Sequence, residues 1–335
     1  MKIPFRRILI LASPFILILA LIHSCYPLFP DKNRPRLVDS ISYLSPKWFS
    51  NDRIIYIKWK ERFGYVYGII ANLSVSGIRP QGAQYQICTS DLEGKNERVI
   101  RNFILKHRGG NDWQDEFFGT EGGVVPYYLD YNQKENLIVF SASSNSDLIL
   151  LTADNKKIWR LKVDGYNPRL SPDGKKILYN RKSKIKDPTT GIVTESVDYS
   201  VWITNTDGSD NKIVFDFSAE AIWHPDGDKI IFYQNNFLKA LNLINGIQEI
   251  LFETNRFPES ISKDASKIIS GSVLYNFKTG QNEKIDNIPN NAIISPDGSK
   301  ILGYPIDLPN IKVGLFDIKE QRSRKILIDH AVTLK

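Results

Sequence analysis

Apolar and polar residues alternate along most of this chain, and short clusters of turn residues break the alternation at regular intervals. The clearest stretch is Asn167–Tyr179, NPRLSPDGKKILY. It reads as a strand, a tight turn and a second strand. Pro172 presets φ for a turn corner, Asp173 can accept from the backbone beyond it, and Gly174 tolerates positive φ. After the turn, Ile177 and Tyr179 point to one face and Lys176 and Leu178 to the other. The pattern returns at Ala221–Tyr233 (AIWHPDGDKIIFY) and Ala292–Tyr304 (AIISPDGSKILGY). A decayed copy is Ser260–Gly271 (SISKDASKIISG); Tyr43–Tyr56 keeps Ser45-Pro46 before a looser turn at Ser50-Asn51-Asp52. The sixth copy, Tyr127–Ser141, carries Tyr131-Asn132-Gln133-Lys134 where the turn falls.

Each copy opens a unit of four short strands. In the third unit the third strand is Tyr199–Asn205, the next turn Thr206-Asp207-Gly208-Ser209, and the fourth strand Lys212–Phe217. The same third and fourth strands are Ala83–Ser90 and Glu97–Phe103 in the first unit, and Asp147–Thr152 and Lys157–Lys162 in the second. They are Leu238–Leu243 and Gln248–Phe252 in the fourth, Val273–Phe277 and Asn282–Ile285 in the fifth, and Val313–Ile318 and Arg324–Ile328 in the sixth. Six such units, about 40 residues apart where nothing is inserted, predict an all-β chain. The expected fold is a six-bladed β-propeller of four-stranded antiparallel blades over residues 39–335, with few helices. Closing the ring needs a strand from one end of the chain in a blade built mainly from the other, and Arg36–Ser42 and Ile326–Leu334 are the candidates.

The Ser-Pro-Asp-Gly copies resemble the TolB-type propeller repeat, also found in the propellers of prolyl oligopeptidase-type peptidases. The resemblance covers about Asp39 to Asp329, with three strong copies and three weak ones. It implies the propeller fold, and neither family's activity carries over whole. It is expected to stop at the propeller: Cys25 to Tyr43 leaves no room for the α/β domain of TolB, and no peptidase domain is expected before Lys335.

The first 24 residues read as a signal rather than as part of the fold. Lys2, Arg6 and Arg7 precede the apolar run Ile8–Ile22, which is short for a membrane span. Ile22-His23-Ser24-Cys25 resembles a bacterial lipobox, which would make Cys25 the lipidation site; the alternative is an uncleaved anchor running through Leu28-Phe29. Residues 25–38, with Pro27, Pro30 and Pro35, form an expected tether. The domain is therefore expected outside the cytoplasm, attached to a bacterial membrane. Without the signal the formal charge drops from +7 to +4, and no basic patch is interleaved with aromatics, so nucleic acid is not an expected partner. The chain holds only two cysteines, Cys25 and Cys88; with Cys25 lipidated, Cys88 is read as a buried, inert thiol.

No nucleophile elbow, Walker loop, dinucleotide fingerprint or Cys-x-x-Cys occurs, and His107, His224 and His330 are not at ligand spacing. No cofactor and no metal are expected, and Asp173, Asp226 and Asp297 are read as turn residues. Trp159, Trp202, Trp223, Phe232 and Phe316 are read as packing between blades, with Trp48 and Trp59 left open. Leu105–Val125 stands out as a long loop rich in glycine and in both charge signs. Its Arg108, Asp112, Trp113, Asp115, Glu116 and Glu121 offer hydrogen bonds and a stacking face to an envelope protein or glycan. With Lys60–Gly82 and Arg181–Asp198 it is expected to emerge on one propeller face. The expected function is non-catalytic binding or scaffolding. The alternative is a propeller-type glycoside hydrolase or lyase using the loop carboxylates as acid and base.

Overall fold

The computed structural model describes residues 36–66, 77–109, 112–115, 128–141, 146–186, 193–285, 289–304, 312–320, 322–328 and 330–334. The described residues form strands and turns and no helix. Blade one is β1 (Arg36–Trp48), β2 (Arg53–Val66), β3 (Gly77–Asp91) and β4 (Arg98–Gly109), extended by β5 (Asp112–Asp115). Blade two is β6 (Tyr128–Asn132), β7 (Leu137–Ser141), β8 (Ser146–Thr152) and the first part of β9 (Ile158–Leu170). The rest of β9, with β10 (Lys176–Lys186), β11 (Val193–Asn205) and β12 (Lys212–Phe215), makes blade three.

Blade four is β13 (Ala221–Trp223), β14 (Lys229–Gln234), β15 (Phe237–Asn242) and β16 (Gln248–Glu253). Blade five is β17 (Pro258–Ile261), β18 (Lys267–Ser270), β19 (Val273–Asn276) and β20 (Gln281–Lys284). Blade six is β21 (Asn290–Ile294), β22 (Lys300–Tyr304), β23 (Lys312–Asp317) and β24 (Arg322–Ile328), after which β25 (His330–Leu334) leaves it. The expected six-bladed antiparallel propeller is the observed one.

Six hydrophobic cores lie between successive blades and close the circle. Blade one shares a core with blade two around Ile55, Ile57, Tyr85, Ile138 and Phe140. The cores between blades two and three, three and four, four and five, and five and six follow in turn. The last joins Ile54 and Tyr56 of blade one to Leu302, Val313 and Leu315 of blade six. The backbone closes the circle as well, since β25 pairs antiparallel with β1 from Arg36↔Leu334 to Ile41↔His330. The expected exchange of a terminal strand is therefore present, with the C-terminal strand in the N-terminal blade.

Several tryptophans latch one blade to the next. Trp48 Nε1 donates to the Ile293 carbonyl of blade six at 2.8 Å, and Trp223 Nε1 to the Arg169 carbonyl of blade three at 3.0 Å. Trp159 Nε1 reaches the Thr206 carbonyl at 2.9 Å. Trp159, Trp202, Trp223, Phe232 and Phe316 all belong to cores between blades, as expected, and Trp48 and Trp59 are buried too. Cys88 is fully buried, and burial pushes its thiol up to about 12, an inert state.

Two segments differ from the expected elements. Lys157–Lys162 and the strand after Asn167 are one continuous strand, β9, which pairs with β8 in its first part and β10 in its second. The bend that carries it between blades holds Asp164 and Asn167 at positive φ, with Gly165 between them. Gly165 lies so close to Tyr179 that a Cβ there would stand 2.5 Å from the ring. The stretch from Leu105 is not a loop at its start: β4 runs on to Gly109 and turns into β5, with Lys106↔Gln114 and His107↔Trp113 opposite each other.

The repeated turn works by one device. Ser171 Oγ donates to Asp173 Oδ1 at 2.6 Å and accepts from the Lys176 N–H at 2.9 Å. Ser262 with Asp264, and Ser295 with Asp297, repeat both bonds. Gly174, Gly227 and Gly298 take φ of 71°, 80° and 72°, and the decayed copy forces Ala265 to 55°. A Cβ in the left-handed region costs about 1 kcal/mol or more. Ala265→Gly is expected to raise stability by up to about 1 kcal/mol, read as a higher urea midpoint with unchanged slope; a lower midpoint refutes it. Gly165→Ala is expected to lose about 1–3 kcal/mol through the clash with buried Tyr179, checked by the same measurement.

Candidate functional site

The innermost strands line an axial channel whose two ends differ in kind. A cavity of about 700 Å³ opens at one end, walled by first-turn residues such as Phe49, Asn132, Pro172, Pro225, Lys263 and Pro296. Those six residues come from the six blades, so every inner strand runs toward this end. Antiparallel pairing then sends each second-to-third-strand hairpin, and each link to the following blade, to the other end. Three long excursions lie there. The β2–β3 ladder continues to Val66↔Gly77, the β10–β11 ladder to Lys186↔Val193, and β4–β5 to Gly109↔Asp112. All three are β-hairpin arms rather than loops.

The sequence candidates fall on one of these arms in part. Arg108 lies near the end of β4, and Asp112, Trp113 and Asp115 lie on β5, the outer edge of the sheet ordered β25-β1-β2-β3-β4-β5. An edge strand leaves one row of backbone groups unpaired. Glu116, Glu121 and Cys25 lie outside the described residues.

The arm-side mouth of the channel is a second cavity, of about 390 Å³, lined from five blades and by Glu220 at the entry to blade four. That volume is in the usual range for a small-molecule pocket, about 300–1,000 Å³. Its walls include Tyr128, Phe257 and Tyr304, and its polar groups include Lys47, Asn167, Arg169, Glu220 and Glu259. Lys47 and Ile293 border both cavities and so stand at the waist.

Strand register explains why charge gathers at this depth. Lys47 pairs with Ile55 on β2, Asp130 with Val139 on β7, and Arg169 with Leu178 on β10. This is the second ladder residue counted back from the first turn in blades one and three, and the third in blade two, where Asn132↔Leu137 adds one pair at the turn. The same place in blades four and six holds Ile222 and Ile293, opposite Ile231 and Leu302. Ser260 takes it in blade five, opposite Ile269. Three adjacent blades thus carry charge where the other three carry small or apolar residues.

Burial lowers the Lys47 ammonium to about 8, Asp130 opposing the shift and Arg169 adding to it. Asp130 Oδ2 accepts from the Leu170 N–H at 2.7 Å. Burial raises the Glu259 carboxyl, opposed by the Ala292 N–H at 2.6 Å and by Arg169. Glu220 accepts from the Asn167 amide at 3.2 Å. Arg169 Nη1 reaches the Glu259 carbonyl at 3.5 Å, while its sealed Nε meets no acceptor among the described residues.

Sequence reasoning missed Lys47, Asp130, Arg169, Glu220 and Glu259. The signal that could have found three of them is a charged residue at one fixed offset before the turn in three successive copies. Among the described residues no group of three or more His, Cys, Asp or Glu is arranged to hold a metal. Asp173, Asp264 and Asp297 instead spend their carboxylates on their own turns.

With this geometry in place, solved structures supply the class: the chain folds as a TolB-type β-propeller. TolB from Acinetobacter baumannii superposes with a TM-score of 0.55 at 11% identity, over 88% of this chain and 80% of that one. A protein assigned as TolB from Agrobacterium tumefaciens gives 0.50 at 12% identity, over 72% of this chain and 88% of that one. The likeness is one of fold. No family model matches the sequence, and no curated protein does.

The shifted lysine has a consequence for stability. Lys47 loses its proton in the folded state near pH 8, against 10.5 for an ordinary lysine. Between those values the unfolded chain binds more protons than the folded one, so this group makes stability rise with pH through that window. Below pH 8 the burial penalty is present in full. Lys47→Met is therefore expected to be more stable than wild type at pH 7.5, with the gap narrowing by pH 10. Urea midpoints of both proteins at the two pH values check this; a constant gap refutes it.

Proposed function

We propose that this chain is an extracytoplasmic, membrane-attached binding propeller that engages an envelope protein or glycan through its arm face. The observation that carries the reading is the grouping of the three long hairpin arms around one mouth of the channel. Binding sites are commonly built from projecting segments on a rigid scaffold. The basic and apolar start of the chain supports export, with Cys25 as the lipid site or with the segment retained as an anchor. In this reading residues 1–24 are the signal, and the tether expected over 25–38 gives way to β1 at Arg36. The fold it shares with TolB proteins is consistent with an envelope role.

The test is affinity capture from a native envelope extract. Trp113→Ala combined with Glu116→Ala is expected to reduce capture about tenfold, with thermal unfolding unchanged. A double variant that captures as wild type does overturns the assignment of the arm.

One observation favours a second reading, a propeller-type glycoside hydrolase or lyase. Glu220 and Glu259 both line the arm-side cavity, and Glu259 is held above the ordinary carboxylate value, as a general acid requires. Hydrolysis of envelope polysaccharide that disappears in Glu259→Gln would establish it; turnover unaffected by that change removes it.

A further inference from the structure

We infer that the waist of the channel is a binding site for a small organic carboxylate with an apolar or aromatic body. The inference goes beyond the arm-face reading and does not depend on it.

Hydrogen-bond accounting inside the channel is lopsided. Each of the three carboxylates there already has a donor: Leu170 N–H for Asp130, Ala292 N–H for Glu259 and the Asn167 amide for Glu220. The two cations do not have matching acceptors. A guanidinium offers five N–H donors, yet among the described residues Arg169 makes one bond, at 3.5 Å, and its Nε makes none. The Lys47 ammonium has no hydrogen bond among the described residues, although it borders both cavities.

A buried donor without an acceptor is costly, and a charged one more so. Arg169 Nε is such a donor, and the half-buried Lys47 ammonium lines the same lumen without an acceptor among the described residues; a carboxylate answers both, since it supplies two acceptor oxygens and one negative charge. Tyr128, Phe257 and Tyr304, beside Pro46 and Pro258, would flank the rest of the ligand. Phe257 is about half exposed at the mouth, where an apolar body would cover it.

The electrostatics agree with this placement. Burial leaves Lys47 easier to deprotonate than an ordinary lysine, with Arg169 adding to the shift and Asp130 opposing it, while Glu220, Glu259 and Tyr304 line the same channel. A bound anion would restore its proton. Binding should therefore weaken as pH rises through about 8, because the free protein then has to recapture that proton.

The probe is N-acetyl-phenylalanine, with its C-terminal amide as the uncharged twin, titrated into the purified full chain by calorimetry. The acid is expected to bind at least about tenfold more tightly than the amide. Arg169→Met and Lys47→Met are each expected to cost about tenfold in affinity. Lys47→Arg should retain binding while losing the decline between pH 7 and 9. The Arg169 backbone carbonyl, not its side chain, receives the Trp223 bond, so Arg169→Met should keep the blade contact. Should that variant nonetheless fail to fold, Lys47→Met and the pH series of Lys47→Arg decide the matter alone. Equal affinity for acid and amide overturns the proposal, and so does wild-type affinity in the folded methionine variants. Failure here leaves envelope capture through the arms untouched.

Discussion

The structure depends on one packing constraint: the second strand of every blade is apolar on both faces and needs a neighbour on each side. Ile177 and Tyr179 pack toward blade two while Leu178, between them, packs toward blade four. Ile230 and Phe232 against Ile231, and Ile54 and Tyr56 against Ile55 and Ile57, divide in the same way. Burying an aliphatic side chain is worth about 1.5–3 kcal/mol, and an isolated sheet can bury only one face. Only a closed circle satisfies all of these strands at once. That is why β25 crosses to β1, and why Trp48 reaches Ile293 across the seam.

Against this regular frame, the departures from regularity are concentrated in half of the ring. Blade one carries two arms and blade three one, and the charged register positions fall on blades one, two and three. Blades four and five have short hairpins, at Gln234↔Phe237 and Ser270↔Val273, and blades four to six place Ile222, Ser260 and Ile293 at the register of the charges. A repeat that keeps its cores between blades can change its inner register position or lengthen a hairpin without disturbing the neighbouring core. The channel and the arms are the places where this fold tolerates such change.

The fold was legible because its signals are local. A Ser two residues before an Asp closes a turn through a hydroxyl bridge and needs nothing outside six residues, so the copies at Ser171 and Ser295 announce themselves in the sequence. The copy at Ser262 is legible for the same reason, even with Ala265 in the glycine's place. The candidate site was much less legible. Leu105–Val125 looked like a loop because its glycines and mixed charges hide the alternation, whereas β4 pairs with β3 as far as Leu105 and then runs on to Gly109 with β5 folded back on it.

By itself the sequence determined the number of blades, the turns that end their inner strands, the alternating faces that bury Ile177 and Leu178, and the basic, apolar start of the chain. Those features arise from neighbours a few residues apart along the backbone. Only the tertiary structure decided that Lys47, Asp130 and Arg169 share one lumen, since 122 residues separate the first from the last. It also decided that Arg169 Nε meets no acceptor among the described residues and that Lys47 holds its proton weakly, because a side chain's electrostatic setting is fixed by groups that ring closure brings around it.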